Sequence, residues 1–236
     1  MDIASIGHAL SVWVLPVVIA ITFHEAAHGW MAERCGDNTA RLLGRITFNP
    51  LKHIDPFGTL ILPGLLLLLK APFLFGYAKP VPVNFGRLNN PKRDMIWVAL
   101  AGPGINVALA FASAVLLHAT VILPGALGVW LGENLGRSIF INLVLAIFNM
   151  LPLPPLDGGR VLTGLLPGRY AWRFAQIERY GLVILIGLLF LLPLLAENLG
   201  FYFNPIVTLL VGPVNEIFTL FWELAGRPPL PPSFHG

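Results

Sequence analysis

The sequence predicts an all-α polytopic membrane protein, and three observations carry that expectation. Hydrophobic residues make up 56% of the 236 positions and charged residues only 11%, whereas a soluble domain carries about 25% charged side chains. Several apolar runs approach the roughly 20 residues that a helix needs to cross a bilayer. Lys and Arg concentrate in the polar stretches between those runs, the pattern of cytoplasmic loops. The net charge of +3 is therefore loop charge. No basic run interleaved with aromatics occurs, so the expected surroundings are the lipid bilayer and not nucleic acid. The single cysteine, Cys35, excludes an intrachain disulfide and a cysteine-based zinc site. The opening Met1-Asp2-Ile3 lacks the positive n-region of a signal peptide. No internal repeat, long linker or separate soluble domain is visible.

Taken in order, the first span is expected over 3–31. A basic loop follows with Arg34, Arg41, Arg45 and Lys52. Residues 57–77 are apolar but broken by Pro63-Gly64 and Pro72. A polar hinge, RLNNPKRD, supplies Arg87, Lys92 and Arg93. The second span is expected over 95–123. A short loop with Pro124 and Glu133 leads to a third over 138–151, ending in NMLPLPPLDGGR. After a basic loop holding Arg160, Arg169, Arg173 and Arg179, two more spans are expected over 181–195 and 205–224. The organisation expected is a catalytic core over 1–160 and a C-terminal transmembrane hairpin with its tail over 161–236, in one integral membrane domain.

The positive-inside rule puts every one of these basic stretches on the cytoplasmic side, with Arg137 left for the other. Both flanks of 57–77 are then cytoplasmic. The segment is too short to cross twice as helices, so a membrane-dipping re-entrant segment or hairpin is expected; a full crossing is the alternative, and would put NNPKRD outside against the rule. Such backbone is tolerated where protein buries it or a cavity adjoins it.

The chemistry lies in His24-Glu25-Ala26-Ala27-His28, at the cytoplasmic end of the first span. Ionisable groups inside a bilayer are costly and usually functional. Residues four apart on a helix share a face, so His24 and His28 can point at one metal ion. Glu25 is rotated by about 100° from His24 and falls where it can deprotonate a water beside that metal, the mechanical content of H-E-x-x-H. Zinc suits such a site, with two imidazoles, a carboxylate and an open position. A histidine pair hydrogen-bonded inside a bundle is the bland alternative. Asp157 is the candidate third ligand: Pro152, Pro154 and Pro155 cannot continue a helix, and Gly158-Gly159 permits a tight path. An ordinary Asp-Gly turn at a helix end explains the same residues.

Three stretches together, HEAAH in a first core span, AGPGIN (101–106) in a second and NMLPLPPLDGG (149–159) ending a third, resemble the site-2 protease family of intramembrane metalloproteases. The resemblance covers about residues 3–160. It implies one zinc ion held by His24, His28 and Asp157, with Glu25 as the catalytic base. It implies hydrolysis of peptide bonds in or near transmembrane segments of membrane-protein substrates, as in regulated intramembrane proteolysis. It also implies substrate-binding roles for Asn149, Pro152 and Pro154. The expected location is the cell membrane, with the active site near the cytoplasmic side. The chain has room for neither a PDZ nor a CBS domain, so a minimal form is expected. A metal-ion transporter, or an inactive scaffold for membrane partners, are the competing readings; Glu25 beside the histidine pair favours the enzyme.

Other residues receive plainer expectations. Gly102, Pro103 and Asn106 are expected to serve packing or hydrogen bonding across the bundle. His53 is expected to be solvated, and His8 and His118 to lie toward the far side. Trp13, Trp97, Trp130 and Trp222 suit the membrane interface. A substrate helix must be opened before its carbonyls can be attacked, so replacement hydrogen-bond partners are needed. A strand edge within 44–85 and the amide of Asn149 are the expected ones.

Overall fold

The computed structural model describes residues 3–68, 76–200 and 207–230. It contains helices and irregular segments, with no strand among the described residues. Helix α1 is Ile3–Arg34. A short α2, Leu62–Leu68, continues from a wider helical turn at Pro56–Ile61. Helix α3 is Pro91–Leu116, α4 is Gly125–Asn149 and α5 is Asp157–Leu165. Helices α6 (Gly168–Ala175), α7 (Gly181–Ile186), α8 (Leu192–Asn198) and α9 (Gly212–Leu224) complete the chain.

Three of these helices are long and apolar enough to cross a membrane: Gly7–Arg34, Pro91–Ile122 (α3 with a final tight turn) and Gly125–Asn149. Each contains the corresponding expected span or overlaps most of it. A fourth passes the same test only if Gly168–Tyr180 and Val183–Asn198, bent by 70°, count as one broken span. The expected fifth span is represented by a turn at Val207–Val211 followed by α9; positions 205 and 206 lie outside the described residues.

The third span corrects the expectation in one respect. It begins at Gly125, not near 138, and Glu133 and Arg137 lie within the helix. Both have partners on α1, which removes the need for a polar loop. His8 Nε2 lies 3.2 Å from Glu133 Oε2, and the Arg137 guanidinium sits 4.2 Å over the Trp13 ring. Nearby, Trp130 Nε1 donates to Ser11 Oγ at 2.9 Å.

Helix α3 is the centre of the bundle and packs against α1, α4 and α5. Its start is set by Pro91 at the first turn, where a missing N–H costs nothing, and by Asp94 Oδ2, which accepts the Asn90 N–H at 2.7 Å. The buried face carries small residues, Gly102, Ala110, Ser113 and Ala114, which let helices approach closely in the absence of a hydrophobic drive between them. Ala110, Ala114 and Leu117 meet Ile139 and Leu143 of α4 and Val214 of α9 in one fully buried cluster.

The apolar stretch after α1 leaves and returns at the same level. Its outgoing end is capped by Asp55, whose carboxylate accepts the Phe57 and Gly58 N–H groups. On return, Tyr77 N–H donates to Gly58 O at 3.0 Å, and Tyr77 O accepts from Thr59 Oγ1 at 2.9 Å. The two ends of the stretch are thus held side by side; 69–75 lie outside the described residues. The chain then runs as an irregular strap, 78–84. Lys79 N–H reaches His53 O at 2.9 Å, and Asn84 N–H reaches Asp37 Oδ2 at 2.6 Å. Burial opposes ionisation of Asp37, yet hydrogen bonds from Thr39 and Asn84 hold its carboxyl below the usual carboxylate range. His53 is buried rather than solvated: its Nε2 donates to Thr47 O at 3.0 Å, closing the loop on which Lys79 docks. Finally, Asn89 N–H donates to Cys35 O at 2.8 Å. The NNPKRD hinge is thus tied to the C-terminal end of α1.

That tie gives a direct prediction. In a Cys35→Ser background, a cysteine at Asn89 is expected to resist an impermeant thiol reagent on intact cells and to react after permeabilisation. Strong labelling of intact cells would place the hinge on the outside and break the hairpin topology.

Candidate active site

His24 and His28 sit one helical turn apart on α1, both buried. Asp157 reaches them from the first residue of α5. The expectation of unwound backbone holds for 150–156, but the aspartate itself starts a new helix, because Leu156 is already extended and the Gly158-Gly159 pair lets the turn close on itself. A Cβ on Gly158 would strike the Met150 carbonyl, and one on Gly159 would strike the Pro154 nitrogen. Backbone this close admits only glycine.

Each imidazole is oriented from its far nitrogen. His28 Nδ1 lies 2.7 Å from Val98 O. A carbonyl can only accept, so Nδ1 carries the proton and Nε2 the lone pair. His24 Nδ1 lies 2.5 Å from Asn106 Oδ1. The amide of Asn106 is itself fixed: its Nδ2 donates to Ala20 O at 3.2 Å and to Asn142 Oδ1 at 2.7 Å. Asn142 is fixed in turn by donating to the Ser138 carbonyl at 2.8 Å. His24 therefore also presents a lone pair at Nε2. Asn106 and Asn142 are fully buried, so this satisfied chain of amides specifies one arrangement.

The three inward atoms converge. His24 Nε2 and His28 Nε2 are 3.0 Å apart, and Asp157 Oδ2 lies 3.2 Å and 3.3 Å from them. With both Nδ1 atoms protonated, none of the three is a donor toward the others, and Asp157 Oδ2 is a buried atom without a hydrogen-bond partner. A tetrahedral ion with bonds of about 2.0–2.1 Å requires ligand–ligand edges of about 3.3–3.4 Å. The observed spacings of 3.0–3.3 Å lie at or just below those edges, so the three atoms fit a zinc ion. Gly102 of α3 faces the same point; a Cβ there would lie 2.6 Å from His24 Nε2 and would collide with His28 Nε2.

Glu25 is not part of the triad. Its Oε2 accepts the Val81 N–H from the strap at 2.7 Å, and Oε1 has no protein partner among the described residues. Asn149 ends α4 half-buried, and its Nδ2 bonds back to Leu145 O at 2.9 Å. In the loop after it, Pro152 is exposed and Pro154 buried. His118 is elsewhere, bonded to Ala225 O. Sequence reasoning gave Asn106 only packing or hydrogen bonding across the bundle, and it missed Val81 altogether. For Asn106 the signal was present, a polar residue in an apolar helix, but its partner was not readable.

The chain matches the family model described as Peptidase family M50 over residues 12–135 and 128–194. The chain belongs to this family. Family M50 is the site-2 protease family, and the chain is a metalloprotease with zinc as its cofactor. Among curated relatives, "Putative zinc metalloprotease YwhC" of Bacillus subtilis is 40% identical over 185 residues, covering 77% of this chain and 80% of that protein. "Putative zinc metalloprotease Rip2" of Mycobacterium tuberculosis is 29% identical over 215 residues, covering 88% and 79% respectively. "Putative zinc metalloprotease MJ0611" of Methanocaldococcus jannaschii is 51% identical over 65 residues, 28% of this chain and 31% of that protein. No solved structure matches the chain significantly. The membership and the three apolar helices together make the chain an integral membrane M50 peptidase.

The orientation of His24 is open to test. Asn106→Leu is expected to weaken zinc binding about 10- to 100-fold, measured by competition with a chromogenic chelator. Asn106→Asp keeps an acceptor at His24 Nδ1 but loses the donations to Ala20 O and Asn142 Oδ1, and is expected to fall between the leucine variant and the unaltered protein. Equal affinity for the leucine variant would remove Asn106 from the site.

Proposed function

We propose that His24, His28 and Asp157 hold the zinc of this M50 peptidase, that Glu25 is its general base, and that it cleaves peptide bonds in or near transmembrane segments of other membrane proteins. The single observation that carries this is the convergence of three buried ligand atoms, 3.0–3.3 Å apart, from two histidines and an aspartate. When bound, zinc lowers the pKa of its water to near 7 and polarises a carbonyl.

The chain's own groups supply the rest. Val98 O and Asn106 Oδ1 keep both imidazoles in the tautomer that offers Nε2 inward. Glu25, anchored through Oε2, keeps Oε1 to take a proton from the attacking water and pass it to the leaving amine. The burial of the triad limits bulk water to what the site admits. The hydrophobic setting and the basic loops beside the end of α1 support a site near the cytoplasmic face of the cell membrane.

A substrate helix hides each scissile carbonyl in a bond to the N–H four residues on. Asn149 is placed to compensate: its Nδ2 is spent on Leu145 O, which leaves Oδ1 to accept an N–H released from the substrate. Pro152, exposed in the loop that runs from Asn149 to Asp157, offers a carbonyl without a competing N–H, and Pro154, buried behind it against Gly181, holds the loop for the substrate. The strap offers a further edge at Val83, whose N–H has no protein partner among the described residues. Cleavage of this kind would serve regulated intramembrane proteolysis.

The test is cleavage of a panel of single-span reporters in vesicles, with and without chelator. Glu25→Gln is expected to retain zinc and lose about 10²- to 10⁴-fold in rate. Asn149→Ala is expected to retain zinc and lose most cleavage of stable helices, with partial recovery on a reporter helix carrying a Gly-Pro break. Normal proteolysis by Glu25→Gln would remove that residue from the base role.

A further inference from the structure

The bond between Glu25 and the strap is built by sequence features on both sides of it. Lys79-Pro80-Val81-Pro82 has prolines flanking Val81. Proline has no N–H, so Val81 carries the sole backbone donor of positions 80–82. A residue before proline is driven to extended backbone, which keeps Lys79 and Val81 extended without a sheet. The strap is pinned before and after this donor. Arg45, buried despite its charge, donates from Nη2 to Lys79 O at 2.8 Å and to Pro80 O at 3.3 Å. Asp37 takes the Asn84 N–H beyond it.

On α1 the matching feature is Gly29, one turn beyond Glu25 and on the same face. A Cβ at Gly29 would lie 3.0 Å from Val81 Cγ1 and 3.0 Å from Ile46 Cγ1. The missing side chain is the seat on which the buried Val81 isopropyl rests. With the strap seated there, the Val81 N–H meets Glu25 Oε2 at 2.7 Å.

We propose that Val81 is a positioning residue for the peptidase reaction: its N–H fixes Glu25 through Oε2 and so keeps Oε1 available for the proton transfer. This rests on the assignment of Glu25 as base. A carboxylate on a helix has several rotamers, and a charge-assisted bond from a pinned backbone selects one of them. The prolines matter because no neighbouring N–H competes for the same carboxylate.

The experiment compares Val81→Pro with Val81→Ala in the full-length protein, using the Gly-Pro-broken single-span reporter and measuring kcat, KM and zinc content. Both variants lose the isopropyl group; only the proline loses the N–H. Val81→Pro is expected to turn over about 10- to 100-fold more slowly than Val81→Ala, with KM within about twofold and zinc content equal. Gly29→Ala crowds the seat while leaving every N–H in place, and is expected to give a smaller loss of the same kcat-selective kind. This second variant keeps the proposal testable where Val81→Pro fails to fold. Equal kcat for the proline and alanine variants overturns the proposal, as does a rise in KM with kcat unchanged, which would give the N–H to the substrate. Unimpaired turnover in Glu25→Gln strikes the base assignment, whereas a dead Glu25→Gln beside equal Val81 variants strikes only the role of Val81.

Discussion

Two imidazole nitrogens 3.0 Å apart, with a carboxylate oxygen 3.2–3.3 Å from both, form a buried cluster that a shared zinc ion would hold together. The positions of α1, α3, α4 and α5 can be understood from that constraint. Helix α1 supplies the two imidazoles at i and i+4. Helix α3 must come close enough for Val98 O and Asn106 Oδ1 to reach their far nitrogens, and Gly102 must carry no side chain at the point of closest approach. Helix α4 must end where it does so that the loop 150–156 can fold back and bring Asp157 to the same point. Both imidazoles are held from behind, by Val98 O and by Asn106 Oδ1, so metal affinity and helix packing are linked.

The readable part of this in the sequence was the part determined locally. The spacing His24–Glu25–His28 settles which side chains share a face, since only helical periodicity is involved. The prolines and glycines of 152–159 mark the break before Asp157 for equally local reasons. Whether Asp157 was a ligand or an ordinary turn residue was not a local matter. It depended on α5 returning against α3, where Gly164 packs on Ile96. The start of the third span was misplaced because Glu133 and Arg137 read as loop residues. Their partners, His8 and Trp13, are more than a hundred positions away in the chain. His53 was read as solvated for the same reason, its burial depending on the return of the chain at Lys79. Asn106 was visible as a polar residue in an apolar helix, but its bond to His24 required the register between α1 and α3.

The strap illustrates a different limit. Nothing in Lys79-Pro80-Val81-Pro82 names a catalytic group, because its contribution is a backbone N–H and the sequence records side chains. The prolines show which donors are absent and therefore which one remains. The strap also joins Glu25 to the start of the apolar stretch, since Tyr77 and Lys79 are hydrogen-bonded to the outgoing chain at Gly58 and His53. The positions of Glu25 and of the outgoing chain thus belong to one connected set of contacts, with Arg45 and Asp37 as its fixed points.

The central claim is that the three converging atoms are zinc ligands. X-ray absorption at the zinc edge, with elemental analysis of the purified full-length protein, tests it most directly. The account predicts about one zinc per chain, with a first shell of nitrogen and oxygen only and the scattering pattern of two imidazoles. A substoichiometric metal content that zinc supplementation does not raise, or a sulfur atom in the first shell, would contradict it.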